Sequence, residues 1–465
     1  MELETWEQTL GAAPLLGIAA GAIAAILLLI IVFKVHAFVA LVIVSLLTAV
    51  ATGIPTQFIS EVLVDGFAGT IGSVALLVGF GAMLGKLVEH SGGAKALADA
   101  LVRLFGEKRA PFALGIASLI MGFPMFFDAG LVMMLPIIFA VAHRVTGGKN
   151  VLAYGIPAAA AFSVMHVFLP PHPGPVTAAG EYEANIGIVL LVGLVIAIPT
   201  WLLTGHLWGK FVGRKFVLPV PTLFGGVDED QPKNPPRVST IILLLLLPMA
   251  LIFLNTGLTT LDAAGFVDAS QGWAQALILI GNSPIALLIT VVVAMLVLGW
   301  RRGQKGTAVE KLVDSSLGPI ASVVIITGAG GMFGAVLRTS GIGEALSETL
   351  DSWGMPVIFA AFIIAAVIRV AQGSATVALV TAAGLVGPAV LAGDFNPMQI
   401  AAITLATAAG SVFAGHVNDS GFWLVGRLMG MDVKTTLKVW TVQQTIQSVT
   451  AFLLVLVVYS LASLF

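Results

Sequence analysis

Cysteine is absent from the chain, so it has neither a disulfide nor a thiolate metal site available. Charge is almost as scarce: Asp, Glu, Lys and Arg make up 10% of the 465 residues. A soluble domain carries about a quarter, and a chain this poor in charge cannot cover a water-facing surface. A basic leader is also missing. Met1–Leu10 is acidic, which predicts that the first apolar segment is kept as a helix rather than cleaved. The longest polar stretch, Val220 to Arg237, is a Pro- and Asp-containing linker, so an attached ATPase is excluded and an ion gradient is left to drive any uphill work. No HExxH or GxSxG stands in an apolar run, which argues against an intramembrane enzyme. No cofactor, metal or nucleic acid is expected.

Hydrophobic residues fill 58% of positions. Leu15–Phe33, Ala37–Ile54, Ile186–Leu207 and Thr441–Phe465 are each of the length, roughly 20 residues, that crosses a bilayer. The predicted class is an all-α polytopic membrane protein. Self-comparison then reveals a duplication. Gly69–Leu101 aligns without gaps to Gly318–Leu350, and 13 of the 33 pairs are identical, among them Gly79/Gly328, Gly81/Gly330, Met83/Met332 and Gly85/Gly334. Nearly the same offset brings His166-Val167 onto His416-Val417. The Gly-rich run Gly79–Gly85 repeats inside an apolar segment, so close helix packing explains it better than a nucleotide loop.

Lys and Arg accumulate in cytoplasmic loops. They cluster at Lys34, Arg103/Lys108/Arg109, Arg144/Lys149, Lys210/Arg214/Lys215, Arg301/Arg302/Lys305 and Arg427/Lys434/Lys438, while the connections between clusters are acidic or neutral. A chain with both termini outside places every basic cluster in the cytoplasm. Gly69–Val88 then runs inward and Gly318–Leu337 outward, so the predicted repeats, 1–219 and 238–465 around the linker 220–237, have inverted topology. Ala110–Val141 starts and ends beside basic clusters and Pro356–Ala392 beside acidic ones. Both read as re-entrant hairpins. Val151–Thr177 is interrupted by Pro170–Pro175, and Ile400–Val425 by His416–Gly421; both read as broken helices. The sum is about ten spans and two hairpins, with amphipathic connectors at Glu89–Arg109 and Arg338–Trp353 lying along the interface.

Non-helical backbone at membrane depth survives only where protein or a water-filled cavity satisfies it. The four interruptions are therefore expected to converge on one site, where exposed N–H groups at half-helix N-termini attract carboxylates. Gln372, Gly373, Ser374 and Thr376 offer an amide, two hydroxyls and close backbone approach; Asn418 and Ser420 suit hydroxyl recognition. Ionisable groups inside spans are functional by default. Asp128 and Asp419 are the candidate proton carriers, each with the alternative of capping a half-helix. Arg369 is read either as the binder of a substrate carboxylate or as the fixed partner of an aspartate. His172 is placed in a cavity-lining loop with Gly174 beside it, as a proton or substrate group. His166 and His416, being aligned, are expected to share a packing or hydrogen-bonding role.

Four segments carry a family resemblance: MGFPMFFDAGLVMMLPIIFA, FLPPHPGPVTAA, RVAQGSATVALVTAAGL and GHVNDSGFWLV. Together they resemble the gluconate:proton symporter family within the wider ion-transporter superfamily of inverted-repeat carriers, nearly end to end. The resemblance implies import of gluconate-like organic anions with protons across the plasma (inner) membrane. It also implies a homodimer in which a transport domain moves against a scaffold. Family members differ in substrate, including idonate, fructuronate and D-serine. A sodium-coupled carboxylate carrier is the main alternative; Asp128 and the Gln-Gly-Ser tip lean toward protons.

Overall fold

Where the apolar runs are unbroken the chain forms long helices, and where Gly, Pro or a polar cluster intervenes the helix stops and restarts. A computed structural model describes residues 6, 8–221, 235–263, 266–352, 354–416 and 419–464, and every regular element among them is helical. The first half comprises α1 (Ala12–Leu27), α2 (Ala37–Ala51), α3 (Thr56–His90), α4 (Gly93–Phe105), α5 (Ala110–Gly122), α6 (Phe127–Thr146), α7 (Val151–Phe168), α8 (Pro173–Glu181), α9 (Ile186–Trp201) and α10 (Trp208–Lys215). The second comprises α11 (Val238–Ala263), α12 (Gly272–Gly281), α13 (Ser283–Ala294), α14 (Gly306–Asp314), α15 (Leu317–Thr339), α16 (Ile342–Ser352), α17 (Val357–Gln372), α18 (Ala375–Ala392), α19 (Pro397–Gly410), α20 (Ser420–Leu428), α21 (Val433–Thr436) and α22 (Val442–Ala462). Most of the linker expected at 220–237 lies outside the described residues.

The offset that aligns Gly69 with Gly318 carries α5, α6, α7 and α8 onto α17, α18, α19 and α20 within a few residues, and α4 onto α16. Each helix-stop-helix unit therefore occurs twice in the same order. The stops have local causes. Gly373 takes φ +93 and ends α17, a conformation open to glycine because it has no Cβ. Ser374 then caps α18 by accepting from the Val377 N–H at 3.3 Å. Pro173 opens α8 behind the Leu169–His172 break, at a position where its missing N–H costs nothing.

By length and composition eight helices among the described residues can cross a membrane, or nine if the bent α6 counts as one. This falls short of the ten expected, because further apolar helices are shorter, such as Ala37–Ala51 and Pro397–Gly410. A fourteen-residue helix reaches only about 21 Å, against a hydrocarbon core of about 30 Å. The outer helices expose apolar side chains where a soluble protein would be charged: Val195 at 61%, Leu243 at 68% and Leu453 at 57%. That band fits lipid contact. Helices α7, α8, α18 and α19 are instead buried on nearly all sides. Ala158, Ala159, Ala160 and Ala161, with Ala401, Ala402 and Ala406, let their neighbours approach closely. The molecule's centre is thus built from the interrupted segments, and its periphery from continuous ones.

Candidate functional site

A cavity of about 260 Å³ opens where the interruptions meet. Three of the four breaks reach it directly: Phe126–Asp128 between α5 and α6, Ser374–Val377 between α17 and α18, and Asp419–Gly421 ahead of α20. The fourth reaches it only through the end of α7, at His166 and Val167. Helices α6, α18 and α20 therefore begin at the cavity wall and turn their positive dipole ends toward it.

The two aspartates differ in their partners. Asp419 accepts from the Arg369 guanidinium at 2.6 Å and from the Gly421 N–H at 3.0 Å, which caps α20. Arg369 is 2% exposed and also donates to the Gly373 carbonyl, so the pair ties the Gly373 turn to the start of α20. Gly415 makes room for it: a Cβ there would stand 3.1 Å from Asp419 Oδ2. Asp128, in the first turn of α6, is exposed and forms no ion pair among the described residues.

The histidines form a directed chain. His172 Nε2 lies 2.8 Å from the Gly122 carbonyl, which can only accept, so that nitrogen carries the proton. In the neutral ring Nδ1 is then an acceptor, and His166 Nδ1, 3.2 Å away, must donate to it. His166 Nε2 is left unprotonated, 3.5 Å from Thr376 Oγ1. His166 therefore presents an acceptor at the cavity wall, and His172, 2% exposed behind it, fixes the tautomer. The sequence predicts His172 at the wall and gives His166 a packing or hydrogen-bonding role. In the structure His172 lies back against α5, on the Gly122 carbonyl, and it is His166 that stands at the wall. His416 does not share His166's setting; its Nε2 bonds the Val370 carbonyl at 3.0 Å.

Of the other expected residues, Thr376 and Ser420 line the cavity and Ser374 both lines it and caps α18. Gly373 supplies the turn. Gly174 packs against α18, where an added Cβ would meet Leu379 at 2.7 Å, and is not among the lining residues. Asn418 lies outside the described residues, as does the side chain of Gln372. Sequence reasoning missed Ser163, Trp440 and Gln444 on the wall. Gln444 Nε2 donates to Ser163 Oγ at 3.0 Å, and Gln447 Nε2 donates to the same oxygen at 3.1 Å. The signal was present as Gln443, Gln444 and Gln447 in the apolar run of α22. Among the described residues no cluster of His, Asp or Glu is placed to hold a metal ion.

The helix-stop-helix units enclose a polar cavity, and comparison with known proteins decides the family. Residues 13–462 match the GntP family permease description. The chain belongs to the GntP permease family. Relatives extend over almost the full length. The inner membrane permease YgbN of Escherichia coli is 40% identical, with 95% of this chain and 97% of the relative covered. A gluconate permease of Pseudomonas aeruginosa is 37% identical over 93% and 94%. The Gnt-II system L-idonate transporter of Escherichia coli is 38% identical over 96% and 99%. The crystal structure of the YdaH transporter of Alcanivorax borkumensis shares the fold at a TM-score of 0.58, with 17% identity and 88% and 90% of the two chains covered. This GntP permease is a multi-pass membrane transporter and not an enzyme.

Proposed function

We propose that this permease imports gluconate or a closely related sugar acid together with protons. The observation that carries the reading is the asymmetry of charge at the cavity: one guanidinium is already matched by Asp419, while Asp128 stands exposed and outside every ion pair among the described residues. An organic anion entering beside an ionised Asp128 adds like charge to like charge. Protonating Asp128 removes that repulsion, so proton and anion favour each other's binding. Asp419, held by Arg369 and the α20 N-terminus, positions the wall. The substrate carboxylate goes to the N–H groups that open α18, and its hydroxyls to Ser374, Thr376, Ser420 and Gln444. His166 Nε2 accepts from a substrate hydroxyl. The names of the relatives supply the sugar-acid class.

The same reading gives the chain two inverted repeats, 1–219 and 238–465, with two re-entrant hairpins and both termini outside. The repeated helix order and the alternation of basic and acidic connections support it. Neutralising the site lets the hairpin-bearing helices carry it across the apolar layer in an elevator-type movement, within a homodimer whose outer helices stay fixed. The deciding experiment is uptake of labelled gluconate into proteoliposomes under an imposed pH gradient without sodium, with other sugar acids and D-serine as competitors. Uptake that collapses with a protonophore supports the proposal. Uptake that requires sodium overturns the proton assignment, and no uptake of any sugar acid by folded protein overturns the substrate class.

A further inference from the structure

A second and larger cavity, of about 520 Å³, lies away from the transport site among the starts of α5 and α7 and the helix α10. Four cationic side chains meet there: Lys108 and Arg109 ahead of α5, and Lys210 and Arg214 on α10, with His206 one turn before Lys210. No carboxylate is among the lining residues. The nearby Glu107 is engaged elsewhere, with Arg144 at 3.2 Å. His206, Lys210 and Arg214 are spaced four apart and so share one helix face. The adjoining stripe, Leu203, Leu207 and Phe211, is apolar and about half exposed, at 47%, 49% and 52%. Two polar atoms of lining residues, Asn150 Oδ1 and His206 Nδ1, are buried with no hydrogen-bond partner among the described residues. Buried polar atoms are normally satisfied, so these mark a missing partner.

We infer that this pocket binds a phosphate-bearing anion. Four cations from two separate elements exceed what a monocarboxylate can use. A phosphoryl group presents several acceptor oxygens to Arg and Lys donors at once. A glycerol hydroxyl attached to it can donate to Asn150 Oδ1. The apolar stripe beside the cations is placed for acyl chains, the arrangement by which basic pockets between membrane helices hold anionic lipid headgroups. A soluble phosphate ester offers the same headgroup chemistry, and the two sources are separable by experiment.

The test uses the full chain, purified and delipidated in neutral detergent, with thermal stability and ligand titration as readouts. The probes are phosphatidylglycerol, glycerol 3-phosphate, inorganic phosphate and, as a carboxylate control, gluconate. The variants are K210Q/R214Q and, in a basic cluster elsewhere, R301Q/R302Q. The expected result is stabilisation of the parent and of R301Q/R302Q by at least one phosphate-bearing probe, with apparent affinity at least roughly tenfold weaker in K210Q/R214Q and labelled gluconate uptake retained. Stabilisation by phosphatidylglycerol alone identifies a lipid headgroup; competition by glycerol 3-phosphate identifies a free phosphate ester. Should K210Q/R214Q fail to fold, K108Q/R109Q replaces it. Stabilisation by none of the phosphate probes, or equal loss in the R301Q/R302Q control, overturns the inference.

Discussion

The two halves of the chain place the same helices in the same order and arm them differently. In the second half the charges are matched: Arg369 and Asp419 lock each other across the gap between α17 and α20. In the first half nothing answers Asp128 among the described ion pairs, and a pair of histidines stands where the second half has a solitary one. The helix order is shared between the halves, while the acid outside the described ion pairs stands on one side of the cavity. Under the proposed proton coupling the two halves divide the work: the matched half holds the shape of the site, and the unmatched half takes the proton.

The largest expected effect tests the unmatched half. Asp128→Asn fixes the site in its neutral form, so gradient-driven accumulation of gluconate is lost while exchange of internal for external substrate persists. Normal accumulation by this variant would mean that the coupling proton sits elsewhere. The next tests the matched half. Arg369→Gln leaves the Asp419 carboxylate without its buried partner, a change that costs about 3–5 kcal/mol, read as loss of thermal stability in detergent. Because the neighbours are coupled, R369Q/D419N recovers a substantial part of it. A double variant no more stable than R369Q would show that the pair does not lock the break.

The contrast between halves also measures what the sequence could reveal. The breaks were legible because Gly, Pro and polar residues inside apolar runs have few other uses. Part of the Gly-rich run of α3 marks close packing: a Cβ at Gly85 would meet the Pro124 carbonyl at 2.9 Å. Asp128, Asp419, Arg369, Ser374, Thr376 and Ser420 do reach one cavity. The exchange of places between His166 and His172 was not legible, because the path of the chain through Leu169–His172 depends on packing against α5. Gln444 was passed over because it is uncharged and lies in an unbroken span.

Those histidines give the third test. His166 and His416 align in sequence, yet only His166 stands at the cavity wall. A hydrogen bond to substrate worth about 1 kcal/mol is roughly a five-fold change in KM. His166→Ala should therefore raise the KM for gluconate by about that factor, with His416→Ala near the parent value. His172→Ala should behave like His166→Ala, since it releases the ring that fixes the His166 tautomer, and the imidazole-spacing variant His172→Gln should restore part of the loss. Equal effects at His166 and His416 would mean that the aligned pair has a common structural role after all.

The smallest effect lies at the entry to the matched helices α7 and α19. Asn396 caps α19 in full, its side chain accepting from the Met398 and Gln399 N–H groups while the Asn396 N–H donates to Gln399 Oε1. Asn150, at the same point before α7, adopts φ +64 and makes no capping bond. Replacing a capping Asn by Ala costs about 1 kcal/mol, so Asn396→Ala should lower stability by that amount. Asn150→Gly should change it by no more than a few tenths of a kcal/mol, because glycine accepts positive φ freely and no cap is removed. Thermal unfolding of both variants in one detergent gives the comparison directly. Equal losses would mean that the start of α7 is held by its side chain as firmly as the start of α19, and that at this point the two halves are alike in energy as well as in order.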